Sequence, residues 1–127
     1  MAMYSKSIIT AEMASVSDEI LHTTYLNMAA CHIALGQFDK AIDKSCKSLE
    51  IRENHKAYYR RAVGYLNTGD LDRAKADLDT ANALSPNDPA VLREYANYNN
   101  KLKQANQKQK KAFGGMFDKL SLEEDKE

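Results

Sequence analysis

The sequence predicts an all-α fold built by stacking helix pairs, and three observations predict it. Tyr25, Ala29, Gly36, Phe38 and Ala41 recur 33 residues later as Tyr58, Ala62, Gly69, Leu71 and Ala74, with Asp39-Lys40 and Asp72-Arg73 also in register. Apolar residues fall at helical spacing almost throughout. With five glycines, two prolines and no alternating run of β-branched residues, a sheet has little to build on. A period of this length marks architectures in which one helix pair cannot bury its apolar side without neighbours. Such stacks curve into concave grooves that hold extended peptides, which points to a binding module rather than a catalyst.

The elements follow in order. Tyr4 to Ile9 reads as the second half of a return helix, extended to Met13 by the apolar residues Tyr4, Ile8, Ile9 and Met13. Ser17 is placed to cap a helix beginning at Asp18-Glu19, whose acids favour the positive end of the helix dipole. Leu21, Tyr25, Met28, Ala29, His32 and Leu35 form its expected buried stripe, and Gly36 ends it. The return helix carries Phe38, Ala41, Ile42 and Leu49. The second pair repeats the scheme with Tyr58, Ala62, Tyr65 and Leu66, a break at Gly69-Asp70, then Leu71, Ala74, Leu78, Ala81 and Leu84. Ala29, Ala41, Ala62 and Ala74 are small enough to let paired helices approach closely. Asp88 caps a further helix with Pro89 in its first position. Its stripe is Val91, Tyr95, Tyr98, Leu102 and Ala105, and a long helix with one apolar face suits the capping of a stack. Gly114-Gly115 is expected to break it, before an apolar patch and an acidic, disordered end.

Composition narrows the function classes. Lysine plus arginine equals aspartate plus glutamate at 18 each, so no global field draws the chain to nucleic acid or membrane. The charge is uneven only at the end, where residues 101–119 carry six lysines and one acid. No apolar run reaches the roughly 18 residues needed to span a membrane. Cys31 and Cys46 both fall inside helical patterns and read as two buried, reduced thiols of a cytosolic or nuclear protein. His22, His32 and His55 have no acid or cysteine at ligand spacing, so no metal site is expected. No phosphate loop, nucleophile elbow or paired-carboxylate motif occurs, and no cofactor is implied.

On Tyr58, Ala62, Tyr65, Gly69, Ala74, Leu78, Ala81 and Pro86, residues 55–88 resemble a tetratricopeptide (TPR) repeat, with Arg61 standing where a leucine is common. Residues 22–54 resemble the preceding repeat. The resemblance implies a right-handed superhelix divided into five stretches: a remnant of an earlier repeat's return helix (1–16), repeats at 17–54 and 55–88, a capping helix (89–113) and a basic-aromatic end with an acidic tail (114–127). On this reading the earlier repeat's first helix would lie before Met1, so the chain resembles a piece of a longer protein.

Three segments carry a more particular resemblance: Tyr25-Leu-Asn-Met-Ala-Ala-Cys31, Lys56-Ala-Tyr-Tyr-Arg-Arg61 and Lys110-Lys-Ala-Phe-Gly-Gly-Met-Phe117. They are similar to the TPR tails of large immunophilins, peptidyl-prolyl isomerases of the FKBP kind and, less closely, the cyclophilin kind. The resemblance implies a cytoplasmic co-chaperone, also open to the nucleus, that docks the C-terminal Met-Glu-Glu-Val-Asp tail of heat-shock protein 90 class chaperones. The family's carboxylate clamp would map to Asn27, Lys56 and Arg60. A lysine and an asparagine that the family takes from the missing first helix have no counterpart, and Lys6 is not a substitute. The clamp would therefore be partial and weak. The isomerase domain is missing as well, so no enzymatic activity is expected.

The chemistry of the three residues agrees. Lys56 and Arg60 are four apart and share one helix face, away from the stripe of Tyr58, Ala62 and Tyr65. Asn27 holds the place in its unit that Arg60 holds in the next, so stacking brings them together. Arginine offers a fixed fork, lysine a mobile point charge and asparagine two neutral donors. Together they suit an aspartate with two carboxylates. The alternative is a clamp-free scaffold for another protein. In that case Lys110, Lys111, Phe113, Met116 and Phe117 form a secondary contact for calmodulin or another acidic partner. In the immunophilin tails a similar motif implies a second contact with the chaperone or a brace against the last repeat. The uncovered N-terminal face is expected to pair two chains into a homodimer.

Overall fold

The computed structural model describes the backbone of residues 2–125 and the side chains of Met13 and of residues 15–111. Five helices follow one another: α1 (Ala2–Ala34), α2 (Phe38–Ile51), α3 (His55–Thr68), α4 (Leu71–Leu84) and α5 (Pro89–Asp125). The fold is all-α, with no strand among the described residues. The stack has two layers. Helices α1, α3 and α5 touch in sequence; α2 packs on α1 and α3, and α4 on α3 and α5.

Local chemistry sets most of the helix ends. Gly36 and Gly69 adopt φ of 74° and 88°, a left-handed conformation that costs a side-chain-bearing residue energy, and end α1 and α3 as expected. The Asn54 side chain accepts from the Lys56 N–H at 2.8 Å at the start of α3. Asp70 does the same for Arg73 in α4 at 3.3 Å, and Asp88 for Ala90 in α5 at 2.9 Å.

The main core lies between α3, α4 and α5: Ala62, Leu66, Ala74, Leu78, Ala81, Val91 and Tyr98, with Tyr65, Tyr95 and Leu102 packed around them. Ala29, Ala41, Ala62 and Ala74 are fully buried at the helix crossings. Gly64 is a further close approach that the sequence did not signal. A Cβ there would lie 2.5 Å from Ile42 Cγ1 and 3.2 Å from the Phe38 carbonyl oxygen.

Four expectations are corrected. Ser17 starts no helix, because α1 runs unbroken from Ala2 and the segment 1–16 continues it instead of folding back as a separate return helix. No glycine or proline interrupts residues 1–35, and isolated serines and valines cost a helix only a few tenths of a kcal/mol each. Gly114-Gly115 likewise lies inside α5, which extends to Asp125 through the acidic end expected to be disordered. Leu21 and Leu35 are 45% and 69% exposed, and His22 and Leu26 are buried in their place. Apolar residues occur all round this part of α1, so periodicity alone did not fix its inward face. Cys31 is exposed and Cys46 half-buried, both as free thiols.

The first helix pair buries polar side chains: Ser45 stands where the second pair has the buried Leu78, and Ser48 where it has Ala81. His22 is 1% exposed, and Ser45 and Ser48 are fully buried. His22 donates from Nδ1 to the Ser48 carbonyl at 3.1 Å, while Ser48 Oγ donates to the His22 carbonyl at 3.3 Å. That tautomer leaves Nε2 to accept from Asn54 Nδ2 at 3.5 Å. Asn54 therefore ties α1 to the start of α3 while capping it.

Candidate functional site

A polar recess lies where α1, the α2–α3 connection and α3 meet. It has a volume of about 220 Å³. Helix α1 supplies Glu19, Thr23 and Asn27 to its wall and His22 and Leu26 to its floor; the connection supplies Arg52 and Asn54, and α3 supplies Lys56 and Arg60. The three clamp residues expected from the sequence therefore line one cavity.

The repeat explains why. Thr23 and Asn27 sit one turn apart on α1, and the same two positions 33 residues later are Lys56 and Arg60 on α3. Parallel stacking of equivalent helices turns these four toward a common space. Lys56 stands in the first turn of α3, at the positive end of the helix dipole. Its ammonium is exposed and has no carboxylate in ion-pair reach among the described residues. Arg60 faces solvent only in part. It is half-buried, donates from Nη1 to the Leu26 carbonyl at 2.8 Å, and has its guanidinium carbon 5.8 Å from the centre of the Tyr59 ring. That bond fixes the guanidinium beside Asn27 and leaves its other N–H groups for a ligand.

Sequence reasoning missed Glu19, Arg52, Asn54, His22 and Thr23 as wall residues. Register contained a usable signal for three of them. Thr23 aligns with Lys56, and Glu19 with Arg52, again 33 residues apart. Asn54 was signalled only as a helix start.

The expected secondary contact is separate from this cavity. Lys110 and Lys111 are exposed on α5, and the side chains of Phe113, Met116 and Phe117 lie outside the described residues. A shallower recess of about 230 Å³ opens between α3, α4 and α5, with Leu66, Leu71 and Ala105 inside and Lys101 and Lys108 at its edge. Among the described residues no group of three or more His, Cys, Asp or Glu side chains is gathered to hold a metal ion. His55 instead pairs with Asp88 at 3.2 Å, and His32 bonds Gln37 at 2.8 Å.

Residues 22–55 and 55–88 each match the tetratricopeptide repeat family. The chain belongs to that family. This TPR domain is 30% identical over 122 residues to the human peptidyl-prolyl cis-trans isomerase FKBP4, covering 95% of the chain and 27% of that relative. With the mouse FKBP4 the identity is 32% over 124 residues, covering 97% and 27%. The chain thus spans about a quarter of the length of the curated relatives it matches. Among solved structures it is similar to the C-terminal TPR-containing domain of a Plasmodium falciparum FK506-binding protein, with a TM-score of 0.67 and 35% identity over 71% of this chain and 60% of that one. It is a TPR domain of the FKBP-type immunophilin kind. Residues 22–88 are TPR sequence, which makes the chain a protein–protein interaction module.

Arg61 departs from the pattern of this TPR domain, and the structure gives the reason it is tolerated. It forks onto Asp77 of α4, with Nε–Oδ2 at 2.8 Å and Nη2–Oδ1 at 2.7 Å. Asp77 is only 5% exposed. Its carboxylate holds the guanidinium proton above the usual arginine range through these hydrogen bonds, against the opposing effect of burial. The pair faces α4 rather than the recess, so it serves the fold.

Proposed function

We propose that this TPR domain docks the acidic C-terminal peptide of a heat-shock protein 90 class chaperone through Asn27, Lys56 and Arg60. One observation carries the reading: these side chains, from two repeats, line a single polar recess of about 220 Å³. Arg60 is fixed by its bond to Leu26 and offers a directed fork, Lys56 a mobile charge and Asn27 a neutral donor. A terminal aspartate carries two carboxylates and matches that set. We propose a cytoplasmic setting with this partner; no helix among the described residues is long and apolar enough to cross a membrane.

Binding through exposed cations should weaken with salt, because such charges are screened over about 8 Å at physiological ionic strength. Calorimetric titration with the pentapeptide Met-Glu-Glu-Val-Asp at 50 and 500 mM salt is expected to show affinity falling by roughly ten-fold or more. Salt-insensitive binding points to an apolar groove and the clamp-free scaffold.

A second observation supports self-association. Met13, Val16 and Ile20 are 66%, 58% and 60% exposed and recur at three- and four-residue spacing on α1, as one uncovered apolar stripe. We propose that two chains pair along it. Light scattering over a concentration series is expected to show a dimer that Val16→Glu abolishes. A clean monomer at high concentration rules the pairing out.

A further inference from the structure

At the edge of the recess, Arg52 and Glu19 face one another in a two-pronged ion pair. Nη1–Oε2 is 2.7 Å and Nη2–Oε1 is 2.9 Å. The guanidinium is therefore already holding a carboxylate in the fork geometry that arginine offers best. Both side chains remain more than half exposed, at 57% and 54%. An ion pair so open to water is a weak contact, so another carboxylate can take Glu19's place at little cost. Among the described residues, Glu19 is also the only acid lining a recess that holds Arg52, Lys56 and Arg60.

We infer that Arg52 is a second carboxylate seat, occupied in the free protein by Glu19, and that it reads an acidic side chain upstream of the ligand's terminal residue. The inference rests on the docking reading and extends it from the terminus to the peptide's sequence. The geometry supplies the order. Asn27, Lys56 and Arg60 lie on successive turns of α1 and α3, whereas Arg52 precedes α3 in the connection and pairs with α1 two turns before Asn27. A peptide whose terminal carboxylates sit among the first three residues runs toward Arg52 with its preceding residues. A glutamate there displaces Glu19 and restores the same bidentate pair. A glutamine cannot, because its neutral amide offers one oxygen and no charge. Glu19 thus acts as a built-in competitor that an upstream acid must displace, whereas a ligand without one leaves the Arg52–Glu19 pair in place. Arg52 makes the site selective for a run of acids over a lone terminal one.

The experiment compares two free-acid peptides, Met-Glu-Glu-Val-Asp and Met-Gln-Gln-Val-Asp, on the full chain and its Arg52→Gln, Glu19→Gln and double variants. Arg52→Gln is expected to weaken the glutamate peptide by about five-fold and leave the glutamine peptide unchanged, which also shows that the variant is folded. Glu19→Gln is expected to tighten the glutamate peptide by about two- to five-fold, and this gain should vanish in the double variant. If Glu19→Gln tightens both peptides alike, or its gain persists without Arg52, the acid acts only through its field and the seat does not exist. Equal effects of Arg52→Gln on both peptides, or none, also overturn it while leaving the terminal clamp standing. If neither peptide needs its terminal carboxylate, the docking reading and this seat fall together.

Discussion

Asp77→Ala is expected to lower the unfolding free energy by about 3–5 kcal/mol, the cost of leaving one member of a buried ion pair without its partner. In a domain whose whole stability is of order 5–15 kcal/mol, that is a large share. The expectation follows from burial. Asp77 is 5% exposed, and both of its oxygens are taken by the Arg61 fork at 2.7 and 2.8 Å. Arg61→Leu should be harmful for the complementary reason, since it strands the carboxylate against Ala and Leu side chains of the α3–α4 core. The double substitution Arg61→Leu with Asp77→Leu should recover most of the loss, because well-packed apolar residues often replace a buried pair without cost. Urea unfolding of the parent, Arg61→Leu, Asp77→Leu and the double variant closes the cycle and gives the coupling directly. Additive losses in the double variant would mean that the pair is not the reason Arg61 is accommodated.

Arg60→Ala is expected to weaken peptide binding by about 1.5–3 kcal/mol, the range for hydrogen bonds to charged groups. Lys56→Ala should fall toward the lower end, as an exposed and mobile charge. Arg60 also donates to the Leu26 carbonyl, so its removal should cost a further 0.5–1.5 kcal/mol or so of stability without unfolding the chain. Lys56 makes no such bond among the described residues, and its variant should be as stable as the parent. Calorimetry with circular dichroism separates the two effects. Parent-like binding by the Arg60 variant would remove it from the site.

The parts of the fold legible in the sequence are those set by local chemistry or by register. Gly36, Gly69, Asp70 and the Asp88-Pro89 pair end or begin helices through their own backbone preferences, and each does so in the structure. The 33-residue register located the second repeat, and helical spacing located Val91, Tyr98 and Leu102 of α5 against it, although Leu84, expected on the stripe of α4, is 46% exposed. Helix α1 was less legible. A serine caps a helix only where the chain breaks, and nothing near Ser17 breaks it. The inward face of α1 was set by what α2 presents, Ser48, which accommodates a histidine rather than Leu21. The site divides in the same way. Asn27, Lys56 and Arg60 could be selected because helical spacing and register together bring equivalent positions to one space. Register aligns Arg52 with Glu19, but alignment alone does not say that a residue of the connection reaches across to pair with its equivalent on α1. Arg61 and Asp77 meet across two helices, and only the packing of α3 on α4 discloses that their charges are paired.

The central claim is that the recess reads a terminal carboxylate. Titrating the parent chain with Met-Glu-Glu-Val-Asp as the free acid and as the C-terminal amide tests it most directly, because the two peptides differ only in that group. The account predicts that amidation weakens binding by about ten-fold or more, the loss expected for a charged hydrogen-bond acceptor, and that the difference narrows in Arg60→Ala. Equal affinities for acid and amide would contradict it.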